Sequence, residues 1–329
     1  MIHGDNDANR DTSDAQLWFC VACRELIHAE KSDKFLDEAC GRRSVRQVLL
    51  SMGNSLTHGT ANGIFMDTDS GLLFSPGHFT WMDTNYPAGT LREGYPIEIQ
   101  ALWQYSLDFL AEIALPEDSH AFKRQARQVR ASVVEFFWME QDGFLSDCLH
   151  APPGTPAHLA QKDDSLRSNQ LLAITLGAVN NQLICRLILT ACEELLVPGA
   201  IRSLADRPVR YPNPVSHNGR ILNNPHHPYH GRYEDDEDTQ RKPAYHNGTA
   251  WTWPFPSYCE AWVQTYGKSS VETALAWLGS SSRIINQGCV GHVPEILDGN
   301  YPHTARGCDA QAWGGSELLR VLIEIKKIS

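Results

Sequence analysis

The spacing between helices constrains this chain more than any other feature. Helical periodicity recurs in nine stretches, approximately 12–29, 34–51, 95–114, 119–140, 166–179, 181–196, 249–266, 270–285 and 309–326. The connections alternate between short links near 30–33, 115–118, 180 and 267–269 and long ones across 52–94, 141–165, 197–248 and 286–308. Helices joined by short links form antiparallel hairpins, so every long connection emerges at one end. Hairpins with all their long loops on one rim describe an α/α toroid, whose inner helices form a barrel and whose loops build a site over its mouth. A six-pair toroid holds twelve helices. Nine are legible, the last unpaired, so the first three would precede residue 12. Almost nothing reads as a buried strand, and no solenoid repeat is visible. The expectation is an all-α fold with 1–329 as a single domain.

Several helix starts carry their own signals: Asp11 to Asp14 before an apolar run, Pro96 in a first turn, and Ser119 ahead of a long amphipathic stretch. Charge narrows the partners. With 28 Lys and Arg against 39 Asp and Glu, the net charge is −11, which repels phosphate backbones and anionic lipid. Neither nucleic acid nor a membrane surface is an expected partner. The first residues lack both a basic and an apolar leader region, and no apolar run is long enough to span a bilayer, which points to a cytoplasmic protein. Nine cysteines without framework spacing read as reduced, mostly buried thiols. Cys20 and Cys23 form a CxxC, but inside an apolar helical stretch, where core packing is the expected role rather than zinc binding.

Aromatic, carboxylate and amide residues concentrate in the long loops and the helix turns after them. One cluster runs from Phe79 through Trp81, Asp83, Asn85 and Tyr86, with Arg92, Glu93 and Glu98 downstream. A second runs from Tyr245 through His246, Asn247, Trp251 and Trp253 to Pro254. The third spans His292 to Gly299, with Glu295 and Asp298, and continues through Arg306, Cys308, Asp309 and Gln311 to Trp313. A single Trp reads first as core and a single acid first as a helix cap. Their coincidence on one rim points to sugar, since a pyranose offers apolar faces to indole rings and hydroxyls to Asp, Glu, Asn, His and Arg.

These motifs resemble, in order and over nearly the whole chain, the C-terminal amylo-α-1,6-glucosidase region of glycogen debranching enzymes. The resemblance runs from Asn9 to Ala15 through Thr80-Trp81-Met82-Asp83, Arg92-Glu93-Gly94, Pro96 to Ile99, Tyr245 to Trp251 and Glu295 to Gly299, ending at Arg306 to Trp313. It implies an (α/α)6 toroid of the six-hairpin glycosidase type, here lacking the first helices. It also implies hydrolysis of α-1,6-linked glucosyl stubs of glycogen or limit dextrin with inversion, Asp83 as general acid, Glu295 as general base, and no cofactor. Asp14, Arg92, Glu98, His246 and Asn247 are the expected contacts to sugar hydroxyls, with Trp81, Trp251 and Trp313 as stacking walls. Asp14 as a helix cap, Arg92 with Glu98 as a structural ion pair, and Trp313 as core stand as the competing readings. The sequence departs from the family pattern in having only about ten residues before the segment at Asp14 and in the His-rich, acidic loop 211–243.

The chemistry sets further expectations. Asp83 needs its pKa raised, with Trp81 and Phe79 as candidate apolar walls, and Glu295 needs donors or a cation, with His292, His303 and Arg306 as candidates. Asp298, Asp163 and Asp164 compete for the catalytic places, although the last two read more readily as caps. Three other functions remain in view: a noncatalytic glucan-binding protein or inactive fragment, a trehalase-like toroid enzyme, and a metalloprotein using His226, His227 and His230. A solvated surface loop accounts better for those histidines. Apolar surface left open where three helices would pack favours self-association.

Overall fold

The computed structural model describes residues 10–84 and 89–328. Its helices are α1 (Ala15–Glu30), α2 (Val45–His58), α3 (Ile97–Ile113), α4 (Pro116–Ser132), α5 (Leu171–Thr175), α6 (Gln182–Cys192), the single turn α7 (Lys242–Tyr245), α8 (Phe255–Tyr266), α9 (Val271–Gly279) and α10 (Ala312–Ile328). Apart from α7 these answer to the nine stretches read from the sequence, and the alternation of connections holds from α2 onward, whereas the expected short link near 30–33 spans residues 31–44. Residues 114–115, 176–181 and 267–270 are tight links, whereas 59–96, 133–170, 193–254 and 280–311 are the long excursions.

Burial separates inner from outer helices. In α3 even Glu98, Gln100 and Gln104 are buried beside Ile97, Leu102, Trp103 and Leu110, as expected of a helix covered on all sides. Its hairpin partner α4 starts with Pro116 in the first turn and buries Phe122, Ala126 and Val129 along one stripe, leaving its charges outward. Helix α3 packs on α1 and α5, and α8 on α5 and α10. Residues of all five of these helices, among them Trp18, Tyr105, Leu172, Glu260 and Arg320, line a common cavity of about 300 Å³. Trp18 of α1 meets Trp313 of α10 edge to face at 6.4 Å, bringing the first and last of them together. Helices α4, α6 and α9 are the hairpin partners of α3, α5 and α8, and α2 packs on α3. Among the described residues, no helix is long and apolar enough to cross a membrane.

Two expectations are corrected. The stretch 34–51 is not one helix: a 3-10 turn (Lys34–Asp37) and a small hairpin through Gly41 precede α2, which runs on to His58. Helix α2 begins at a capping box in which Ser44 Oγ accepts from the Gln47 amide and Gln47 Oε1 accepts from the Ser44 amide. The long connections are also not strand-free, because among the described residues they and the 31–44 link hold six small antiparallel sheets. Strands of two or three residues are too short to show a period of two in sequence. The largest sheet has the order Leu196–Val197, Ala200–Arg202, Ala250–Trp251, Ile296–Leu297, Ala305–Arg306, and ties the last two long connections together. Another joins Gly94–Pro96, Cys148–His150 and Gln161–Lys162.

Six of the nine cysteines, including Cys20 and Cys23 in α1, are buried free thiols, and Cys40, Cys289 and Cys308 are exposed.

Candidate active site

The five-stranded sheet sets the first half of the site. Trp251 pairs with Ile296, and the Thr252 amide donates to the Glu295 carbonyl at 3.3 Å, so Glu295 enters beside the aromatic strand. Its carboxylate is held by three donors. Tyr245 Oη donates to Oε1 at 2.7 Å, Gln311 Nε2 donates to the same oxygen at 2.9 Å, and the Cys308 amide donates to Oε2 at 3.0 Å. The expected partners His292, His303 and Arg306 are not among them. Arg306 turns to Asp298 and Glu234, His303 Nδ1 lies 3.0 Å from the Asp298 carbonyl, and His292 is exposed. Asp298 is fully buried and committed to Arg306 and the Tyr233 amide, which removes it as a competitor for Glu295.

The first rim loop supplies the other half. Trp81 donates its Nε1 to Asn169 Oδ1 at 2.9 Å and stands edge-on to Trp251, Trp253, Trp313 and His246, with centroids 5.0–6.4 Å apart. Two residues on, Asp83 is exposed at the rim, and its carboxyl pKa is raised by the crowding of its surroundings and then by the charge of Asp14. Asn85 and Tyr86, in the same motif, lie outside the described residues. Asp14 occupies the cap position of α1 without making a side-chain cap bond. It accepts from Thr12 Oγ1 at 2.5 Å and faces the amides of Ala15 and Trp81, and burial raises its pKa. Its neighbour Ser13 donates to the Phe79 carbonyl at 2.6 Å, tying the start of α1 to this loop.

Tyr245 connects the halves. Burial raises the pKa of its phenol, as do its bond to Glu295 and, more weakly, the charge of Asp83. The ring packs on Trp251 at 4.8 Å and His246 at 4.7 Å.

Several expected sugar contacts lie behind this surface, not on it. Arg92 and Glu98 are 3% and 1% exposed and form a two-pronged pair, Nη1 to Oε1 at 2.5 Å and Nη2 to Oε2 at 2.6 Å. Arg92 Nε also donates to Asp147 at 2.7 Å. Burial opposes the charge on Arg92, but Asp147 and Glu98 outweigh it and hold the guanidinium protonated. Asn247 spends its side chain on Arg167, the Gly89 carbonyl and the Pro243 carbonyl. His246 is buried and stacked on Trp251, with Nδ1 3.1 Å from Thr84 Oγ1. Burial, then Arg167, Arg92 and His78, push its pKa well below the usual range, so it is neutral. Trp251 is buried and donates to the Tyr245 carbonyl. Trp313, half-buried, stacks on Trp253 at 3.9 Å. The structural readings of Arg92 and Glu98 thus describe where they sit, while Asp14, Trp81, Asp83, Glu295 and Trp313 keep accessible surface.

Asp163 and Asp164 pin loops: Asp163 pairs with His150 at 3.1 Å and accepts from the Ser165 amide, and Asp164 accepts from the amides of Arg210 and Tyr211. The histidines of loop 211–243 are likewise engaged, His226 with the Val209 carbonyl and His227 with Asp206. Among the described residues no group of three or more His, Cys, Asp or Glu side chains is arranged to hold a metal ion. Sequence reasoning missed Tyr245, Gln311, Asp147 and Arg167. The first two lay inside motifs already quoted, beside the residues singled out there.

Two carboxyls on different rim loops, one crowded toward its protonated form and one caged by donors, beside an aromatic cluster, are the equipment of a glycoside hydrolase. The model of the amylo-alpha-1,6-glucosidase family matches residues 1–320, and the chain belongs to that family. No curated protein matches it. Among solved structures, a rhamnosidase from Klebsiella oxytoca with rhamnose bound is similar with a TM-score of 0.49 and 13% identity, over 93% of this chain and 46% of that one. The neutral trehalase of Saccharomyces cerevisiae gives 0.44 and 13%, over 73% and 40%. An uncharacterized conserved protein from Thermus thermophilus gives 0.44 and 16%, over 70% and 46%. The chain spans less than half the length of each.

Proposed function

We propose that this protein hydrolyses α-1,6-linked glucosyl residues of a branched α-glucan or limit dextrin with inversion at the anomeric carbon. Asp83 protonates the glycosidic oxygen as the bond to the anomeric carbon breaks. Glu295 takes a proton from a water whose oxygen attacks the opposite face of that carbon. Inverting enzymes hold such carboxyls roughly 6.5–9.5 Å apart, so that the water fits between base and sugar. The observation that carries the reading is the pairing of environments around Tyr245: Asp83 is biased toward protonation, and Glu295 is presented as an acceptor by three neutral donors. Family membership supports the linkage. Trp81 and Trp313 are assigned to the sugar faces and Asp14 to the acid's surroundings. Arg92, Glu98, His246, Asn247 and Trp251 support the wall behind them.

The test is glucose release from a glycogen limit dextrin, with the product anomer followed by NMR. Prompt β-glucose, lost in Asp83→Asn and Glu295→Gln, is the expected result, and α-glucose overturns inversion. α-Glucosyl fluoride separates the two roles, because fluoride leaves without protonation. Asp83→Asn is expected to retain much of that activity and Glu295→Gln to lose it. No release from either substrate by the folded native protein overturns the proposal in favour of glucan binding alone.

A further inference from the structure

Glu295 receives its donors unevenly. A carboxylate oxygen has two lone-pair directions, and both on Oε1 are taken, by Tyr245 Oη and Gln311 Nε2. The carboxylate can only accept, so the Gln311 amide must present its nitrogen and the hydroxyl its proton. Oε2 accepts one bond, from the Cys308 amide, and keeps a lone pair. Gly307 borders that oxygen. An ideal Cβ there would lie 2.4 Å from Oε2, so only glycine leaves it clear, and the φ of +69° suits the same residue.

The donors are themselves anchored. Tyr245 ends α7, and its carbonyl accepts from Thr249 Oγ1 at 2.6 Å and Trp251 Nε1 at 2.9 Å. Its ring is packed by Tyr233, His246 and Trp251. Gln311 immediately precedes α10, and Cys308 returns its own carbonyl to the Glu295 amide at 2.8 Å. Arg306, the nearest cation in sequence, is turned away to Asp298. Orientation of Glu295 therefore rests on neutral groups.

We propose that Tyr245 is the positioning residue of Glu295: with Gln311 it saturates Oε1 and leaves Oε2 as the oxygen that accepts the proton from the attacking water. This rests on the reading of Glu295 as general base. In the step, a water O–H bond breaks and its proton passes to Oε2 while the water oxygen bonds the anomeric carbon. The glycosidic C–O bond breaks with its electron pair going to the leaving oxygen, which Asp83 protonates. Tyr245 keeps its own proton throughout and touches neither water nor sugar.

The experiment is a double-mutant cycle on limit dextrin. Tyr245→Phe keeps the ring and its packing and removes only the donor; it is expected to lower kcat roughly tenfold with KM changed less than about twofold. Gln311→Ala is expected to do the same more weakly. The decisive arm is Glu295→Ala rescued by azide, where the anion attacks the anomeric carbon itself and gives β-glucosyl azide without a base. There, adding Tyr245→Phe is expected to change the rescued rate by less than about twofold, because a residue acting through Glu295 has nothing left to act on. A tenfold loss persisting under rescue, or a full native rate in Tyr245→Phe, overturns the positioning role and leaves Glu295 as base. Full activity in Glu295→Gln overturns the base assignment instead, and the positioning role with it.

Discussion

In the cluster around Arg92 every charge has an internal answer. Glu98 clasps one edge of the guanidinium, Asp147 the other, and Asn169 links Asp147 to Trp81. At the rim the acids are treated differently. Glu295 is oriented by donors of no charge, and Asp83 has another acid, Asp14, as a charged neighbour. The same residue types produce a rigid frame where charges cancel and a reactive surface where they do not. Both regions converge on Trp81, whose indole is bonded to the frame and whose chain neighbour Asp83 belongs to the site.

That contrast breaks most sharply in activity. Asp83→Asn and Glu295→Gln are expected to cost roughly 10²–10⁴-fold in glucose release, with melting temperatures near native because neither residue is buried in the core. Arg92→Met gives the opposite pattern. It strands Glu98 and Asp147 without their cation, and the expected loss is about 3–5 kcal/mol of unfolding free energy by denaturant titration. An Arg92→Met protein as stable as the native one but inactive would move Arg92 back to the sugar.

A milder version of the frame test uses pH. Burial alone would raise the pKa of Asp163, but the bond and charge of His150, together with the charge of Arg167 and the Ser165 amide, outweigh it and bring it down to about 2. Its folded pKa is below the ordinary carboxylate value, so the stabilisation is fully present above about pH 4 and is lost as pH falls toward 2. His150→Gln removes that partner. The acid-unfolding midpoint is expected to move to higher pH, with a loss of about 1–2 kcal/mol near neutrality. An unchanged acid transition would show that the pair contributes nothing to the frame.

Legibility in the sequence followed length scale. Helices α3, α4, α8 and α10 carry three or more turns of periodic burial, and the loop alternation that places the site needs only their rough ends. The break at Gly41 and the capping box at Ser44 were written in the sequence, yet the apolar pattern of 34–51 overrode them. The five-stranded sheet was illegible because two-residue strands have no period, and its pairing joins residues as distant as Arg202 and Ala250. Asp83 and Glu295 stood out through their motifs. The inward commitment of Arg92, Glu98 and Asn247 did not, because exposure depends on Asp147 and Arg167, which sit in other loops.

The smallest expected effect concerns Asp14, which touches both regions. It sits at the cap position of α1, faces the Trp81 amide, and adds its charge to the crowding that raises Asp83. If Asp83 must be protonated to act, activity falls as pH rises through its pKa. Asp14→Asn removes a nearby negative charge, lowers that pKa, and is expected to move the alkaline limb of kcat to lower pH, with the rate at the optimum within about threefold of native. The acid limb should stay in place. A rise in KM with both limbs fixed would instead assign Asp14 to a sugar hydroxyl. Loss of stability alone, with native kinetics, would return it to the frame as the residue that ties α1 to the loop bearing Trp81.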